Sequence, residues 1–297
     1  MAISRQRVLL VALAVVAGIA LAVAIDVVRL GGPRLWLASH GLPPVYLGGG
    51  EMVATASGRE LYLDCRGSGS PTVVLEAGAG SGAGSWSPVF DDIAATTRTC
   101  AYDRAGLGSS PSAGRRTLDD AARDLRDALA AAGEAAPFVV VGHSLGGAYG
   151  RVFAAAHRAE TVALVLVDSF DPDLQEDRIH PLLGALRPEY EDGLDGLRRT
   201  VEAWEGLDWA TSEGQLRDAH LGDLRVAVLV APRYEPRLDE ATNERIAKTW
   251  VAAYESLSSG VVTHETAHGS GHVIPVDRPD AVVDLVRRVV GEMRAGP

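Results

Sequence analysis

The sequence predicts an α/β fold: a mostly parallel sheet with helices on both faces. Three observations predict it. Short, nearly all-apolar runs at 72–76, 138–141, 162–167 and 226–230 read as strands buried on both sides. Helical patterns alternate with them, which is the order a parallel sheet needs because its crossovers are helices. At 138–157 a β-branched run turns abruptly, through Gly142-His143-Ser144-Leu145-Gly146, into a helical pattern. Ligands of such sheets bind at the carboxyl ends of the strands, so residues just after each run carry most of the functional interest.

Taken in order, the chain opens with an apolar run at 8–25, preceded by Arg5 and Arg7. It is at the length threshold for a membrane span and long for a signal-peptide core. The expectation for 1–30 is an N-terminal transmembrane helix, with a cleaved signal as the alternative because Ala-x-Ala patterns occur at 20–24. Residues 31–50, rich in Gly and Pro and without periodicity, read as a linker. From residue 51 to 297 the pattern is that of one domain.

In that domain 51–56 and 60–65 read as two strands joined at Ser57-Gly58, a hairpin signal. The run at 72–76 ends in the glycine-rich segment 77–84. Residues 86–95 read as a helix and 98–103 as a strand, closed by a glycine-punctuated turn. Thr117 opens a helix with Asp120 at capping-box spacing, an apolar stripe at Leu118, Ala121, Ala122, Leu125 and Leu129, and Gly133 as its stop. The strand and helix around Ser144 follow, then the strand at 162–167, ending before Asp168. Residues 170–223 interrupt the alternation. Later come a strand at 226–230, a helix at 238–257, a strand at 261–264 and a helix at 279–293 with proline near its first turn.

Net charge is −11, Lys248 is the single lysine, and no basic patch is visible, which argues against a nucleic-acid partner. No ligand cluster stands at metal spacing and the glycine loops do not fit a phosphate-binding pattern, so no metal and no organic cofactor is expected.

The most informative stretch is 139–147. A serine between a strand and a helix, with glycine two before and two after, is a nucleophile elbow. Side chains at 142 and 146 would strike neighbouring backbone, and the strained turn holds the Ser144 hydroxyl above the sheet. The helix that follows places its positive end where an oxyanion would form.

From about residue 51 onward the chain resembles the α/β-hydrolase superfamily. The residues that carry the likeness are the glycine-rich loop after Val-Val-Leu-Glu, Tyr102-Asp103-Arg104-x-Gly106-x-Gly108-x-Ser110, Gly142-His143-Ser144-Leu145-Gly146, and Gly269-Ser270-Gly271-His272. The resemblance implies an α/β-hydrolase fold with an eight-stranded sheet and a helical cap after the sixth strand, at about 170–223. It implies the order nucleophile, acid, base, with His272 as base in preference to His264 and His268. His143 reads as a pocket-shaping residue, and Asp103 and Arg104 as a structural turn.

The acid is the open member. Most of the superfamily carries it after the strand at 226–230, where Glu235 is the nearest carboxylate; some branches carry it one strand earlier, where Asp168 stands. Asp168 is preferred. The oxyanion hole needs two backbone N–H donors. Leu145 would supply one and, by alignment on Gly78, Ala79 the other. Cys65 and Cys100 lie on strands that are antiparallel neighbours in the superfamily, so a disulfide is expected, with two buried thiols as the alternative. With the apolar N-terminus, a disulfide points to a domain outside the cytoplasm.

The expected function is a serine hydrolase that cleaves a small apolar carboxylic ester through an acyl-enzyme on Ser144. Peptidase, thioesterase, C–C hydrolase and perhydrolase chemistry, or a non-catalytic ligand-binding member of the fold, are the alternatives.

Overall fold

The computed structural model describes residues 49–296 apart from 113, 173, 233, 234 and 236. The apolar run at 8–25, and with it the expected transmembrane helix, lies outside the described residues, as does nearly all of the linker. Among the described residues no helix is long and apolar enough to cross a membrane.

The sheet has eight strands: β1 (Glu51–Ala54), β2 (Glu60–Arg66), β3 (Thr72–Glu76), β4 (Thr99–Tyr102), β5 (Phe138–His143), β6 (Thr161–Val167), β7 (Arg225–Val230) and β8 (Val262–Thr266). Their order is β1-β2-β4-β3-β5-β6-β7-β8. The hairpin of β1 and β2 joins antiparallel through β2 to β4, and every other pair is parallel. Cys65 and Cys100 are directly opposite one another on β2 and β4, and are joined in the expected disulfide.

Strand periodicity divides the core in two, because successive side chains point to opposite faces. Val74, Val140, Leu164 and Val228 pack on one side against Leu125 and Leu129 of α2 (Leu118–Ala131) and Val152 and Phe153 of α3 (Leu145–Ala156). Their strand neighbours Val73, Val139, Val165 and Ala227 pack on the other against Ile93 of α1 (Phe90–Ala94) and a Val282, Val286, Val289 stripe. That stripe belongs to the C-terminal helix, Pro279–Ala295. Each fully buried Val, Leu or Phe contributes about 1.5–3 kcal/mol relative to exposure, and both layers bury many. The capping box of α2 forms: Thr117 Oγ1 accepts from Asp120 N at 3.3 Å, and Asp120 Oδ2 accepts from Thr117 N at 2.9 Å.

Two elements depart from expectation. The helix expected at 86–95 is a 3-10 turn, Ala83–Trp86, followed by the short α1. Pro88, with no N–H to donate, separates them. The last strand is Val262–Thr266 rather than 261–264, because its pairing with β7 continues to Val230 opposite Thr266.

Between β6 and β7 the alternation gives way to helical pieces. A π-helical turn at Leu174–Ile179 and two 3-10 turns precede α4 (Arg187–Glu205) and α5 (Trp209–Asp218). Gly206 ends α4 in the left-handed region, φ 67°. A backbone bridge then docks the chain: Arg116 N donates to Gly206 O at 2.9 Å and Asp208 N to Arg116 O at 2.7 Å. Among the described residues the remaining helices are α6 (Glu240–Glu255), α7 (Ile274–Asp277) and α8, the C-terminal helix.

Candidate active site

Ser144 sits between β5 and α3 with φ 53° and ψ −126°. For a residue with a side chain this conformation costs about 1–3 kcal/mol. Its backbone is tied on both sides: Ser144 N donates to Val167 O at 3.1 Å, and Ser144 O accepts from Gly147 N and Phe170 N, each at 2.9 Å. The flanking glycines have the steric reason read from the sequence. A Cβ at 142 would stand 2.5 Å from Gly146 O, and one at 146 would stand 2.2 Å from Glu76 O.

Asp168 follows β6 and is the other described non-glycine residue at positive φ, 43°. Its N–H continues the ladder to Leu229 O at 2.7 Å. Its carboxylate is 0% exposed, accepting from Ala231 N at 2.9 Å on Oδ1 and meeting His272 Nδ1 at 2.6 Å on Oδ2. On the far side of the same ring, His272 Nε2 is 2.9 Å from Ser144 Oγ. With the tautomer that this network assigns, Nδ1–H donates to Asp168 and Nε2 accepts from the serine. The His272 side chain remains 55% exposed.

The loop that carries His272 is held from two directions. Gly271 N donates to Asp277 Oδ2 of α7 at 2.8 Å, and His143 Nε2 to His272 O at 2.9 Å. Burial keeps His143 below the ordinary imidazole pKa, so it donates as a neutral ring. Of the alternatives weighed for the base, His264 lies within β8 and His268 precedes the loop. Neither hydrogen-bonds Ser144 among the described contacts.

Glu235 stands elsewhere. It pairs with Arg237 at 2.7 Å and accepts from Tyr190 OH at 2.6 Å. These partners, Arg237 first, hold its carboxyl down to about 2. The structure thus brings Asp168 to His272 and leaves Glu235 out. The preference for Asp168 has a backbone correlate: at the end of β6 its positive φ, 43°, goes with a carboxylate that meets His272.

Leu145 opens α3, so its N–H is among those a helix leaves without an intrahelical acceptor. The loop after β3 lies against the elbow, since a Cβ on Gly78 would come within 3.4 Å of Ser144 Cβ. Asp103 braces this loop and the turn after β4 together. Its Oδ1 accepts from Ala83 N and its Oδ2 from Ser109 N, both at 2.7 Å. Gly82 and Gly108 are required there, because Cβ atoms would fall 2.0 and 2.2 Å from its carboxylate oxygens.

Arg104 does more than the turn assigned to it from sequence. It is buried among Glu76, Glu205, Tyr149 and the carbonyls of Ala77 and Gly78. Burial works against its charge, but Glu205 and Glu76 outweigh that and hold the guanidinium firmly protonated. Burial pushes the Glu76 carboxyl up against the pull of Arg104 and Tyr102. Sequence reasoning missed this cluster. Glu76 did leave a signal, a charge closing an all-apolar strand, whereas Glu205 is one acid among several on α4.

A cavity of about 610 Å³ opens over Ser144, Asp168 and His272. Ala79, His143, Ser144, Asp168 and His272 line its floor, and Trp86, Phe170, Tyr190, Leu194, Leu197 and Trp250 are among its walls. Tyr190, Leu194 and Leu197 come from α4, between β6 and β7. A smaller chamber of about 240 Å³ shares Gln175, Tyr190 and Trp250 with it.

The model of the alpha/beta hydrolase family matches residues 73–285. The chain belongs to the alpha/beta hydrolase family. It is 35% identical over 104 residues to the uncharacterized protein YqjL of Bacillus subtilis, a match covering 35% of this chain and 41% of that protein. It is 37% identical over 112 residues to a protein of Azorhizobium caulinodans named "Putative carbamate hydrolase RutD", covering 37% of this chain and 42% of that one. The match thus spans about two fifths of the length of either relative. Among solved structures, a thermophilic esterase from Thermogutta terrifontis superposes with a TM-score of 0.55 at 19% identity, covering 82% of this chain and 98% of that one. At that identity the likeness is one of fold.

Proposed function

We propose that the protein is a serine hydrolase that cleaves carboxylic esters of small apolar substrates through an acyl-enzyme on Ser144. The observation that carries the proposal is the pair of contacts on one ring: His272 Nε2 to Ser144 Oγ at 2.9 Å and Nδ1 to Asp168 at 2.6 Å. A hydroxyl is a weak nucleophile until a base takes its proton. His272 takes that proton as Ser144 Oγ attacks the carbonyl carbon, and buried Asp168 stabilises the imidazolium. The Leu145 and Ala79 N–H groups receive the oxyanion. The imidazolium then protonates the leaving alcohol, and water, activated by the same ring, releases the acid. The aromatic and leucine walls support an apolar acyl or alcohol portion. The likeness to a protein named as a carbamate hydrolase makes carbamates the second class of acyl compound to assay.

The cellular setting belongs to the same reading. The disulfide and the apolar run at 8–25 support a domain tethered to a membrane and facing an oxidising compartment.

A fluorophosphonate probe and a panel of p-nitrophenyl esters of rising chain length test the proposal. Wild-type protein should take the probe and turn over esters, and Ser144→Ala should do neither. Labelling that persists in Ser144→Ala would remove the nucleophile from this account, and wild-type protein inert to probe and panel would remove the enzyme.

A further inference from the structure

We propose that Glu205, at the C-terminal end of α4, is a positioning residue that holds the oxyanion loop in its working shape. The inference rests on the reading of Ala79 as an oxyanion donor. The Glu205 carboxylate is fully buried and takes four hydrogen bonds. Its Oε1 accepts from Gly80 N at 2.8 Å and Arg104 Nη2 at 3.0 Å; its Oε2 accepts from Arg104 Nε at 2.9 Å and Tyr149 OH at 3.0 Å. The remaining Arg104 donors go to Ala77 O at 2.6 Å, Gly78 O at 2.9 Å and Glu76 Oε2 at 3.3 Å. All five guanidinium N–H groups are therefore engaged.

The consequence for Ala79 is geometric. The Gly78 carbonyl and the Ala79 N–H belong to one planar trans peptide and point in opposite directions. Drawing that carbonyl onto Arg104 turns the Ala79 N–H away from the guanidinium, toward the cavity that Ala79 lines. The next N–H, of Gly80, is drawn back onto Glu205. Two successive amides thus face opposite ways because one ion pair fixes both the carbonyl before and the N–H after Ala79. Close packing supports the clamp: a Cβ on Gly80 or Gly106 would come within 2.8 Å of Trp204, the neighbour of Glu205. Because α4 also supplies Tyr190, Leu194 and Leu197 to the cavity, one helix both lines the substrate space and sets the donor loop.

Glu205→Gln keeps the volume and one acceptor but removes the charge that binds Arg104 side-on. Its kcat on a p-nitrophenyl ester should fall about 10–100-fold, less than the full loss of an oxyanion donor, with KM within about threefold of wild type. Affinity for a trifluoromethyl ketone, which forms an oxyanion on Ser144, should fall by the same factor as kcat/KM. A merely structural role would lower the melting temperature and leave kcat per folded molecule and inhibitor affinity unchanged, and that result overturns the proposal. If Glu205→Gln does not fold, the Gly80 amide of 15N-glycine-labelled wild-type protein decides. Downfield shift and slow hydrogen exchange are expected for a donor to a buried carboxylate, and exchange as fast as an open loop would overturn the brace. Wild-type protein that forms no Ser144 adduct overturns the reaction and this role with it. Wild-type protein that forms one, beside Glu205→Gln of unchanged kcat, overturns the role alone.

Discussion

Two ionic constellations share the carboxyl edge of this sheet, and they are built on opposite plans. In one, a histidine with its side chain 55% exposed joins a buried aspartate to a serine hydroxyl. In the other, an arginine with its side chain 1% exposed is locked between two buried glutamates and two carbonyls. The first leaves its central ring open on one side and gives it one acceptor and one partner able to give up a proton. The second gives its cation five fixed contacts and no route for a proton. A group that must gain and lose a proton in each turnover needs access and a pKa within reach. A group that must only hold geometry is best as a guanidinium, which stays charged and presents its donors in a rigid fork. On the proposals above, both constellations serve Ser144, one through chemistry and the other through the shape of the loop after β3.

The sharpest way to break this contrast is to remove the acid from the first constellation. Asp168→Asn keeps the packing but favours the wrong tautomer of His272, and kcat should fall about 10⁴-fold. Glu235→Gln, measured beside it with the same ester, should stay within about threefold of wild type, since Glu235 pairs with Arg237 and Tyr190. If the larger loss follows Glu235, the two strand ends have been assigned the wrong way round.

The second constellation should fail in stability before it fails in chemistry. Arg104→Met leaves Glu205 and Glu76 buried without their cation, and breaking such a pair costs about 3–5 kcal/mol. Urea unfolding followed by circular dichroism measures it; a loss below 1 kcal/mol would mean that the cluster is held by something other than the arginine. The cross-strand disulfide should count for less. Cys65→Ser combined with Cys100→Ser removes a link across 35 residues of sequence and should cost about 2–4 kcal/mol with kcat little changed. An equal loss in the wild-type protein on adding reductant would show that the link, rather than the serines, is responsible.

The smallest effect is in pH. Burial holds His143, His157, His180 and His264 below the ordinary imidazole pKa in the folded protein. Below about pH 6.5 the unfolded chain binds protons at these positions that the folded chain refuses, so stability falls as pH falls through that value. Urea midpoints at pH 7.5 and 5.5 test the sign. A midpoint that rises at pH 5.5 would mean that the protonation of Glu76, whose pKa burial raises, outweighs the four histidines.

Much of this molecule was legible in its sequence, and unevenly so. The strands at 72–76, 138–141, 162–167 and 226–230 could be read because a strand buried on both faces leaves little but apolar residues. The turn at Ser144 could be read because, although Gly146 is forced by Glu76 O of β3 at 2.2 Å, Gly142 is forced by Gly146 O at 2.5 Å, a requirement that lies within the motif itself. The capping box at Thr117 is local in the same way. The choice between Asp168 and Glu235 stayed open because it depends on which of two strand ends faces the His272 loop, and Asp168 is 104 residues from that histidine. Glu205 could not be found at all: it is one of several acids on α4, the others exposed or half-buried, and its partners lie 56, 101 and 125 residues away.

By itself, then, the sequence determined the layered α/β architecture, the family, and the serine at the strand-to-helix turn, since these rest on periodicity and on short contiguous motifs. Only the tertiary structure decided which carboxylate meets His272 and that Arg104 and Glu205 hydrogen-bond the loop beside Ser144. Those outcomes depend on how the sheet twists and how α4 packs, and charge pairing across such distances leaves no periodic trace in the chain.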